Sequence, residues 1–374
     1  MGNMRMGALE REIAAAAREQ GFALVGFSRI QPLPREQFYT RWLAQQRHGE
    51  MAWLAREPQR RLDPRRIDPR LRSVISLGFP YQAPAPAPID WRRELRGRIA
   101  SYALGEDYHD RVMARARAVT AELQRLRAGV LARIYVDTGP VFEREWAREA
   151  SLGWFGKNTN LLNRAYGSYF FLAEIFTDLE LGGEPPSYGE FCGTCRRCLD
   201  LCPTGALEEG YVMESRRCIS YLTIELRGAI PPALRSHLGN WIFGCDICQE
   251  VCPWNEPGGI EMAELQPYLP DLLALDEEEF RHRFRNSAIK RTKRRGLLRN
   301  VAVALGNTGN PDAVPVLEHA LCNEPEPLVR AHAAWALGRL GGNPAKRALQ
   351  AAAAVEADAA VRTEISGALC GPLP

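Results

Sequence analysis

Between Phe191 and Pro253 the chain carries Cys192-x2-Cys195-x2-Cys198-x3-Cys202-Pro203, a lone Cys218, and Cys245-x2-Cys248-x3-Cys252-Pro253; eight of its ten cysteines lie here. No other stretch constrains the fold as strongly. The first run has the bacterial-ferredoxin pattern, in which three closely spaced thiolates clasp one [4Fe–4S] cluster and the fourth reaches the other. The proline after each run turns the chain and cannot donate an N–H where the fold must bend. A full second copy would have cysteine at 242, where Ile242 stands, and Cys218 restores the eight ligands that two cubanes need. That arithmetic gives Cys192, Cys195, Cys198 and Cys252 to one cluster, and Cys202, Cys218, Cys245 and Cys248 to the other. The crossing of Cys202 and Cys252 follows the motif's usual topology, not spacing alone. Four-cysteine zinc sites also use paired C-x2-C, but they need neither the third cysteine nor the trailing Cys-Pro twice over.

A chain of 374 residues can bury a sizeable core, and ~150 residues per domain predicts two or three domains. The net charge of +3 is small, so attraction to nucleic acid must come from a local patch. Met1-Gly2-Asn3-Met4-Arg5-Met6 lacks the apolar region of a signal peptide, and no segment approaches the ~18 uncharged apolar residues of a membrane span. A cytoplasmic protein is expected, in keeping with cysteines that bind metal rather than pair.

Ahead of the cysteines, residues 8–20 read as a helix with Gly21 just past its end, and Phe22–Phe27 as a strand. A helical pattern covers Phe38–Ala55, a short buried strand Val74–Leu77, and an extended Pro/Ala tract Pro80–Pro88. Strands over Arg98–Ala103, Leu131–Val136 and Ser168–Phe176, with a helix near 107–127, complete an α/β or α+β domain. Leu181–Ser187 is the boundary loop. Beyond the cysteines, Asp276-Glu-Glu-Glu279 caps a helix whose body turns basic. Leu305-Gly306, Leu337-Gly338 and Leu369 recur at a spacing of 32, and two short Ala-rich helices per unit read as HEAT-type repeats that must pack on the preceding domain. The expected fold is multidomain α+β: an α/β domain over 1–180, a ferredoxin-like double-cluster module over 181–260, and a basic helical linker with all-α HEAT-like repeats over 261–374.

Asp137 follows the apolar Ile134–Val136 and precedes Thr138-Gly139-Pro140. An aspartic protease is excluded, because such enzymes need two carboxylates sharing a proton and only one Asp-Thr-Gly occurs. An Asx turn remains open, as does a carboxyl at a strand end where ligands gather that delivers a proton. Gly153-Trp-Phe-Gly156-Lys157-Asn158-Thr159-Asn160 fails the Walker A spacing; it is either an ordinary turn or a Gly-bracketed grip for a large cofactor. From Arg281 to Arg295 the charge is one-signed, with Phe280 and Phe284 interleaved. That run is either a solvated helix face or, beside HEAT-like repeats, a nucleic-acid groove. Cys322 and Cys370 are small core residues on this reading. His109 is a ligand or a hydrogen-bonding residue at a helix start.

Taken in order, the chain resembles the epoxyqueuosine reductases, cobalamin-dependent enzymes that complete queuosine in tRNA. The resemblance spans nearly the whole length. It rests on Arg98-Ile-Ala-Ser-Tyr-Ala-Leu-Gly-Glu-Asp-Tyr-His109, Val136-Asp-Thr-Gly-Pro140, Gly153-Trp-Phe-Gly-Lys157, the eight cysteines with lone Cys218, and Leu298-Arg-Asn-Val-Ala-Val-Ala-Leu-Gly-Asn307. It implies a cobalamin-binding first domain, two [4Fe–4S] clusters and a HEAT-like domain that helps hold tRNA. The implied reaction reduces epoxyqueuosine at the anticodon wobble position, using cob(I)alamin fed with electrons by the clusters. Asp137 matches the proton donor, and Tyr102, Asp137, Gly156, Lys157, Asn158 and Thr159 match segments of the cofactor pocket. The basic run then supplies tRNA contacts at Arg285, Lys290, Arg291, Lys293, Arg294 and Arg295. An external one-electron donor such as flavodoxin or ferredoxin is implied, with no membrane partner and a monomeric state. No Asp-x-His-x-x-Gly motif occurs, so no histidine of that motif serves as lower cobalt ligand.

Two rivals differ in kind. A reductive dehalogenase shares the cofactors, but that class usually carries a twin-arginine export signal, absent here, and its small substrates leave the basic run unexplained. A non-enzymatic electron carrier or repeat scaffold predicts no organic cofactor and no dependence on Asp137.

Overall fold

In the computed structural model, which describes residues 7–182, 189–256 and 258–371, the first half is built on a four-stranded sheet. Its spatial order is Leu24–Arg29, Ser73–Pro80, Phe170–Thr177, Ala132–Tyr135, and every neighbouring pair is antiparallel. Strand side chains alternate between faces. Ile75, Leu77, Ala173 and Ile175 meet the helices Ala8–Glu19 and Tyr108–Leu126, which bury Ile13 and Ala17, and Val112, Ala116, Val119 and Leu123, at helical spacing. Val74 and Phe176 on the other face cover Trp146 of the short helix Glu143–Glu149. The sheet holds Val136 and Asp137 just past the end of its edge strand.

Several sequence expectations shift in detail. The helical pattern over Phe38–Ala55 is broken into Glu36–Ala44 and Ala52–Ala55, because Gln46 and Gly49 turn the chain with positive φ. The strand expected over Arg98–Ala103 shrinks to Arg98–Ile99, followed by a 3₁₀ turn at Ser101–Ala103. Arg98–Ile99 pairs in parallel with Trp241–Phe243, and Ile99, Ala100 and Ala103 enter the core of the C-terminal half. Pro84–Pro86 of the Pro/Ala tract is extended and pairs with Gly258–Met262. Most of the boundary loop Leu181–Ser187, and Met1–Met6, lie outside the described residues.

Downstream, Asp276 and Glu279 form a reciprocal capping box on the helix Glu277–Arg283. The repeats comprise Lys293–Thr308, Val314–Asn323, Pro327–Leu340, Gly342–Val355 and Ala359–Cys370. Gly309 (φ 68°) and Gly341 (φ 66°), at equivalent places in successive repeats, end two of these helices in the left-handed region that glycine enters cheaply. At Gly306 a Cβ would stand 2.8 Å from Ala336 Cα, so glycine there permits close helix approach.

The repeats do not stand alone. Arg299, 1% exposed, donates to the carbonyls of Leu222, Leu226 and Gly228, and Asn300 donates to those of Thr223 and Ile242. Arg235, equally buried, pairs with Glu364 at 2.6 Å. One continuous apolar core runs from Leu95 through the cysteine module to the last helix. Cys322 and Cys370, expected in that core, are exposed instead, because they lie on the outer faces of their helices.

Candidate active site

The eight thiols gather in two neighbourhoods. Cys198 feels the charges of Cys192, Cys252 and Cys195, and Cys252 those of Cys192 and Cys195. Cys218 lies beside Cys202, Cys245 beside Cys248 and Cys218, and Cys248 beside Cys218 and Cys202. Cys248 also feels Cys198, which joins the two groups. Burial, with neighbouring thiols, pushes Cys198 up to about 11 and holds Cys245 and Cys248 well above the ordinary thiol range. A metal takes the thiolate, so binding it would release these protons. Among the described residues no three His, Cys, Asp or Glu side chains converge on a single-ion site. Zinc thiolates about 2.3 Å from their ion would stand ~3.8 Å apart.

Position 242 explains the missing ligand. Ile242 is fully buried in the strand Trp241–Phe243, and its carbonyl accepts from Asn300. A side chain committed to the repeat-facing core cannot serve a cluster. Cys218 instead occupies the N-cap position of the helix Ile219–Ile224.

The Gly-bracketed loop joins this module to the first domain. Lys157 Nζ donates to the carbonyls of Gly193 (2.6 Å) and Cys195 (3.0 Å), and Asn158 Nδ2 to that of Cys248 (3.1 Å). The two side chains expected to grip a cofactor therefore clamp one loop from each thiol group. The loop backbone is already engaged: the Gly156 N–H donates to the Asn160 carbonyl, the Gly156 carbonyl accepts from the Thr159 N–H, and the Thr159 carbonyl accepts from Arg144, which leaves the side chain of Thr159, held at a positive φ of 66°, for a ligand.

Asp137 sits on a strained loop, with φ 54° in a non-glycine residue. Its N–H donates to Glu143 Oε1 in a short contact. Arg61 reaches in to donate to the carbonyls of Gly139 (3.0 Å) and Val141 (3.4 Å). A Cβ at Gly139 would lie 2.1 Å from the Tyr135 ring, so only glycine fits. Asp137 Oδ2 accepts from Tyr108 Oη at 2.8 Å and stands 3.3 Å from His109 Nε2. These are tertiary contacts, not the local bonds of an Asx turn. His109 is no lone ligand: its Nδ1 lies 2.6 Å from Asp107 Oδ1, and Lys290 Nζ lies 2.8 Å from Asp107 Oδ2.

Three titrating groups share this corner. Burial would raise Asp137, but the Asp137 side chain keeps 62% of its surface open, and hydrogen bonds from His109 and Tyr108 hold it below the usual carboxylate range. Burial would lower His109, yet Asp137 and Asp107 raise it. Glu143 is pushed up to about 8 by burial and by the charge of Asp137.

An aromatic floor leads from this corner to the thiols. Tyr108 stacks on Phe171 (4.2 Å) and meets Tyr102 edge-on (5.9 Å); Tyr102 lies 6.1 Å from Phe243. A Cβ at Gly244, next to Cys245, would be 3.5 Å from the Tyr102 ring. The structure thus brings Tyr102 and Asp137 together. A separate cavity of ≈ 230 Å³ is lined by Ile99, Ala103, Ile242, Arg283 and Phe284. It touches neither Asp137 nor any cysteine, and it is smaller than the ~300–1,000 Å³ of ordinary ligand pockets.

The basic run divides. Arg294 is largely buried against Glu324 (2.6 Å) and also donates to the Leu275 carbonyl, so it holds the fold and offers no charge to a partner. Arg291 pairs with Glu225 at 2.5 Å beneath Trp53, and Lys290 with Asp107. Arg285, Lys293 and Arg295 are exposed without an ion-pair partner among the described residues. Phe280 and Phe284 are core residues, not base-stacking ones. Sequence reading missed Glu143, Arg61 and the roles of Asp107 and Tyr108; Asp107, Tyr108 and Glu143 lie within or beside the motifs quoted above, whereas nothing local marks Arg61.

The epoxyqueuosine reductase QueG (DUF1730) family model matches residues 61–138, that for a 4Fe-4S double cluster binding domain residues 191–255, and that for HEAT repeats residues 287–370. Epoxyqueuosine reductase of Pseudomonas aeruginosa is 41% identical over 349 residues, which cover 89% of this chain and 95% of the relative. The chain belongs to the epoxyqueuosine reductase family. The Escherichia coli member is 38% identical over 88% of this chain and 89% of its own. A crystal structure of epoxyqueuosine reductase with an epoxyqueuosine-modified tRNA-Tyr stem loop superposes with TM-score 0.87 at 30% identity, covering 96% of this chain and 98% of that one. One from Bacillus subtilis, 28% identical with TM-score 0.87, is described with its catalytic aspartate loop swung out of the active site. The protein is an oxidoreductase of the multidomain α+β class with HEAT repeats. Family membership at this identity disfavours both the dehalogenase and the electron-carrier readings. Among the described residues no helix is long and apolar enough to cross a membrane.

Proposed function

We propose that this protein reduces epoxyqueuosine to queuosine at the wobble position of tRNA anticodons, with Asp137 as proton donor. The observation that carries the reading is the exposed Asp137 carboxyl, held by Tyr108 and His109 at the edge of an aromatic floor that ends beside Cys245.

The residues fit the groups the family implies. Cys192, Cys195, Cys198 and Cys252 would hold one [4Fe–4S] cluster, and Cys202, Cys218, Cys245 and Cys248 the other, following the two thiol neighbourhoods. The half-buried rings of Tyr102 and Tyr108, with the Thr159 side chain on the loop that Gly156 opens, would seat cobalamin. When bound, these groups supply single-electron transfer and a strongly reducing, nucleophilic cobalt centre. Epoxide plus two electrons and two protons gives alkene plus water, and the opened oxygen is a poor leaving group until it is protonated. Asp137 meets that oxygen from an open edge, Tyr108 and His109 aim its carboxyl, and Glu143 and Arg61 fix its loop.

For tRNA, Arg285, Lys293 and Arg295 carry the unpaired charge. Lys290 and Arg291, expected in the same set, are already paired with Asp107 and Glu225, and Arg294 drops out of it. An external one-electron carrier such as flavodoxin or ferredoxin, a cytoplasmic location and a monomeric state complete the reading. The test is nucleoside mass spectrometry of tRNA from a strain lacking this gene. Accumulated epoxyqueuosine is the expected result; normal queuosine with no epoxide would overturn it.

A further inference from the structure

Asp137 ends a chain of four polar groups drawn from three separate segments. Lys290 Nζ stands 2.8 Å from Asp107 Oδ2, Asp107 Oδ1 is 2.6 Å from His109 Nδ1, and His109 Nε2 is 3.3 Å from Asp137 Oδ2. Each ring nitrogen of His109 thus faces a different carboxylate, and the ring stacks on Tyr108 at 4.0 Å. Asp107 is fixed as the cap of the helix Tyr108–Leu126, and its N–H donates to the Asn286 carbonyl in the basic segment. A histidine held between an orienting carboxylate and a working one is placed to move a proton.

We propose that His109 is a positioning and relay residue that reloads Asp137 with the protons consumed in epoxide opening, with Asp107 fixing its tautomer and Lys290 fixing Asp107. The proposal rests on the reading of Asp137 as proton donor. In each transfer the His109 Nε2–H bond breaks as an Asp137 Oδ2–H bond forms, and Asp137 then passes that proton to the substrate oxygen. His109 becomes neutral and regains a proton from solvent along its exposed edge, which provides for the second of the two protons. The two electrons come from the reductase activity itself.

The groups facing His109 act on its protonated form with opposite signs. Asp107 and Asp137 favour its charge and burial opposes it, with a net upward shift. Tyr108 shares Asp137 Oδ2, Glu143 and Tyr102 flank Asp137, and Arg291 acts on Asp137 from the basic segment, as Lys290 does on Asp107. A relay that must carry a proton fails as pH rises through the histidine's own pKa, so kcat falls on the alkaline side.

The test uses the anaerobically purified holoenzyme, an epoxyqueuosine-modified stem loop and ¹⁵N-histidine labelling, with the His109 resonances assigned by His109→Gln or, if that variant does not accumulate, by His109→Asn. His109→Gln is expected to lower kcat about 10²-fold, leave KM within about two-fold, and remove the alkaline limb. Asp107→Asn is expected to lower the His109 titration midpoint and to move the alkaline limb by the same amount; it carries the test if His109→Gln does not accumulate. Wild-type kcat with an unchanged limb in His109→Gln, or a moved midpoint with an unmoved limb in Asp107→Asn, overturns the relay. Asp137→Asn separates the two readings. An active Asp137→Asn overturns the proton donor and the relay with it, whereas an inactive one beside a wild-type-like His109→Gln removes the relay alone.

Discussion

The thiol module and the Asp137 corner are two halves of one site, and they are specified in opposite ways. The module draws its eight candidate ligands from the single stretch Cys192 to Cys252, at motif spacing. The acid corner draws Arg61, Asp107, His109, Asp137, Glu143 and Lys290 from both halves of the chain, with Arg61 and Lys290 at its extremes. Local spacing fixes a metal cradle because bond lengths to the metal dictate it. A tuned carboxyl needs only a few correct distances, which any elements can supply once a sheet and a repeat array bring them together. Damage to the module should therefore remove a cofactor, while damage to the corner should remove chemistry and leave the cofactors in place.

The largest effect is expected at Cys218. Cys218→Ser should cost about half of the roughly eight irons that two cubanes contribute and abolish turnover. Adding Ile242→Cys should not restore them, because position 242 faces the core and its carbonyl is tied to Asn300. Iron analysis and the visible absorption of anaerobic protein decide it; full iron in Cys218→Ser would return the eighth ligand to another residue. Next comes Asp137→Asn, expected to lower kcat by ~10²–10⁴-fold, the range of general acid catalysis, with iron content unchanged. Loss of iron in that variant would break the separation between the two halves.

The gathering of the eight thiols was legible in the sequence, because ferredoxin-type spacing packs them into one short stretch, whereas the crossing of Cys202 and Cys252 rested on the motif's usual topology rather than on spacing. The repeats were legible too, since Leu305-Gly306, Leu337-Gly338 and Leu369 recur at one spacing, and the structure adds that Gly309 and Gly341 make the same turn in successive units. The acid corner was only half legible. Asp137 stood out by its place after a strand, but nothing local ties Glu143 to its N–H or Lys290 to Asp107. The same gap misled the reading of charge. The run from Arg281 to Arg295 is one-signed along the chain, yet Asp107, Glu225 and Glu324 arrive from elsewhere to neutralise three of its members. The Arg98–Ala103 strand failed for a related reason: its partner, Trp241–Phe243, lies far downstream, beyond the whole first domain and most of the cysteine module.

That division of the basic run gives a third, smaller effect. Replacing Lys293 and Arg295 with alanine should weaken stem-loop affinity about ten-fold at moderate salt and lower the salt slope by about 1.5, the contribution of two phosphate contacts. Arg294→Gln should leave the slope alone and destabilise the fold by about 3–5 kcal/mol, since Glu324 would be left buried without its partner. Fluorescence anisotropy across a salt series and chemical denaturation read the two quantities separately. An unchanged slope in the double alanine variant would move the tRNA surface away from this segment.

The smallest effect sharpens the corner itself. Glu143 has its pKa raised from an ordinary value near 4.5 to about 8 by burial and by Asp137. A carboxyl raised on folding binds its proton more tightly in the native state, so its contribution to stability is complete below pH ~4.5 and is lost as pH climbs through about 8. Glu143→Gln mimics the protonated side chain and can still accept from the Asp137 N–H. Its stability relative to wild type should therefore rise steadily between about pH 5 and about 8, by urea denaturation at several pH values. The Asp137 loop should keep its geometry and its iron-bearing neighbours throughout. If the difference stays flat across that window, Glu143 is ionised at neutral pH. Two adjacent carboxylates would then have to be held by the Arg144 charge and by His109, and the corner would be an anionic pair rather than a carboxylic acid beside a carboxylate.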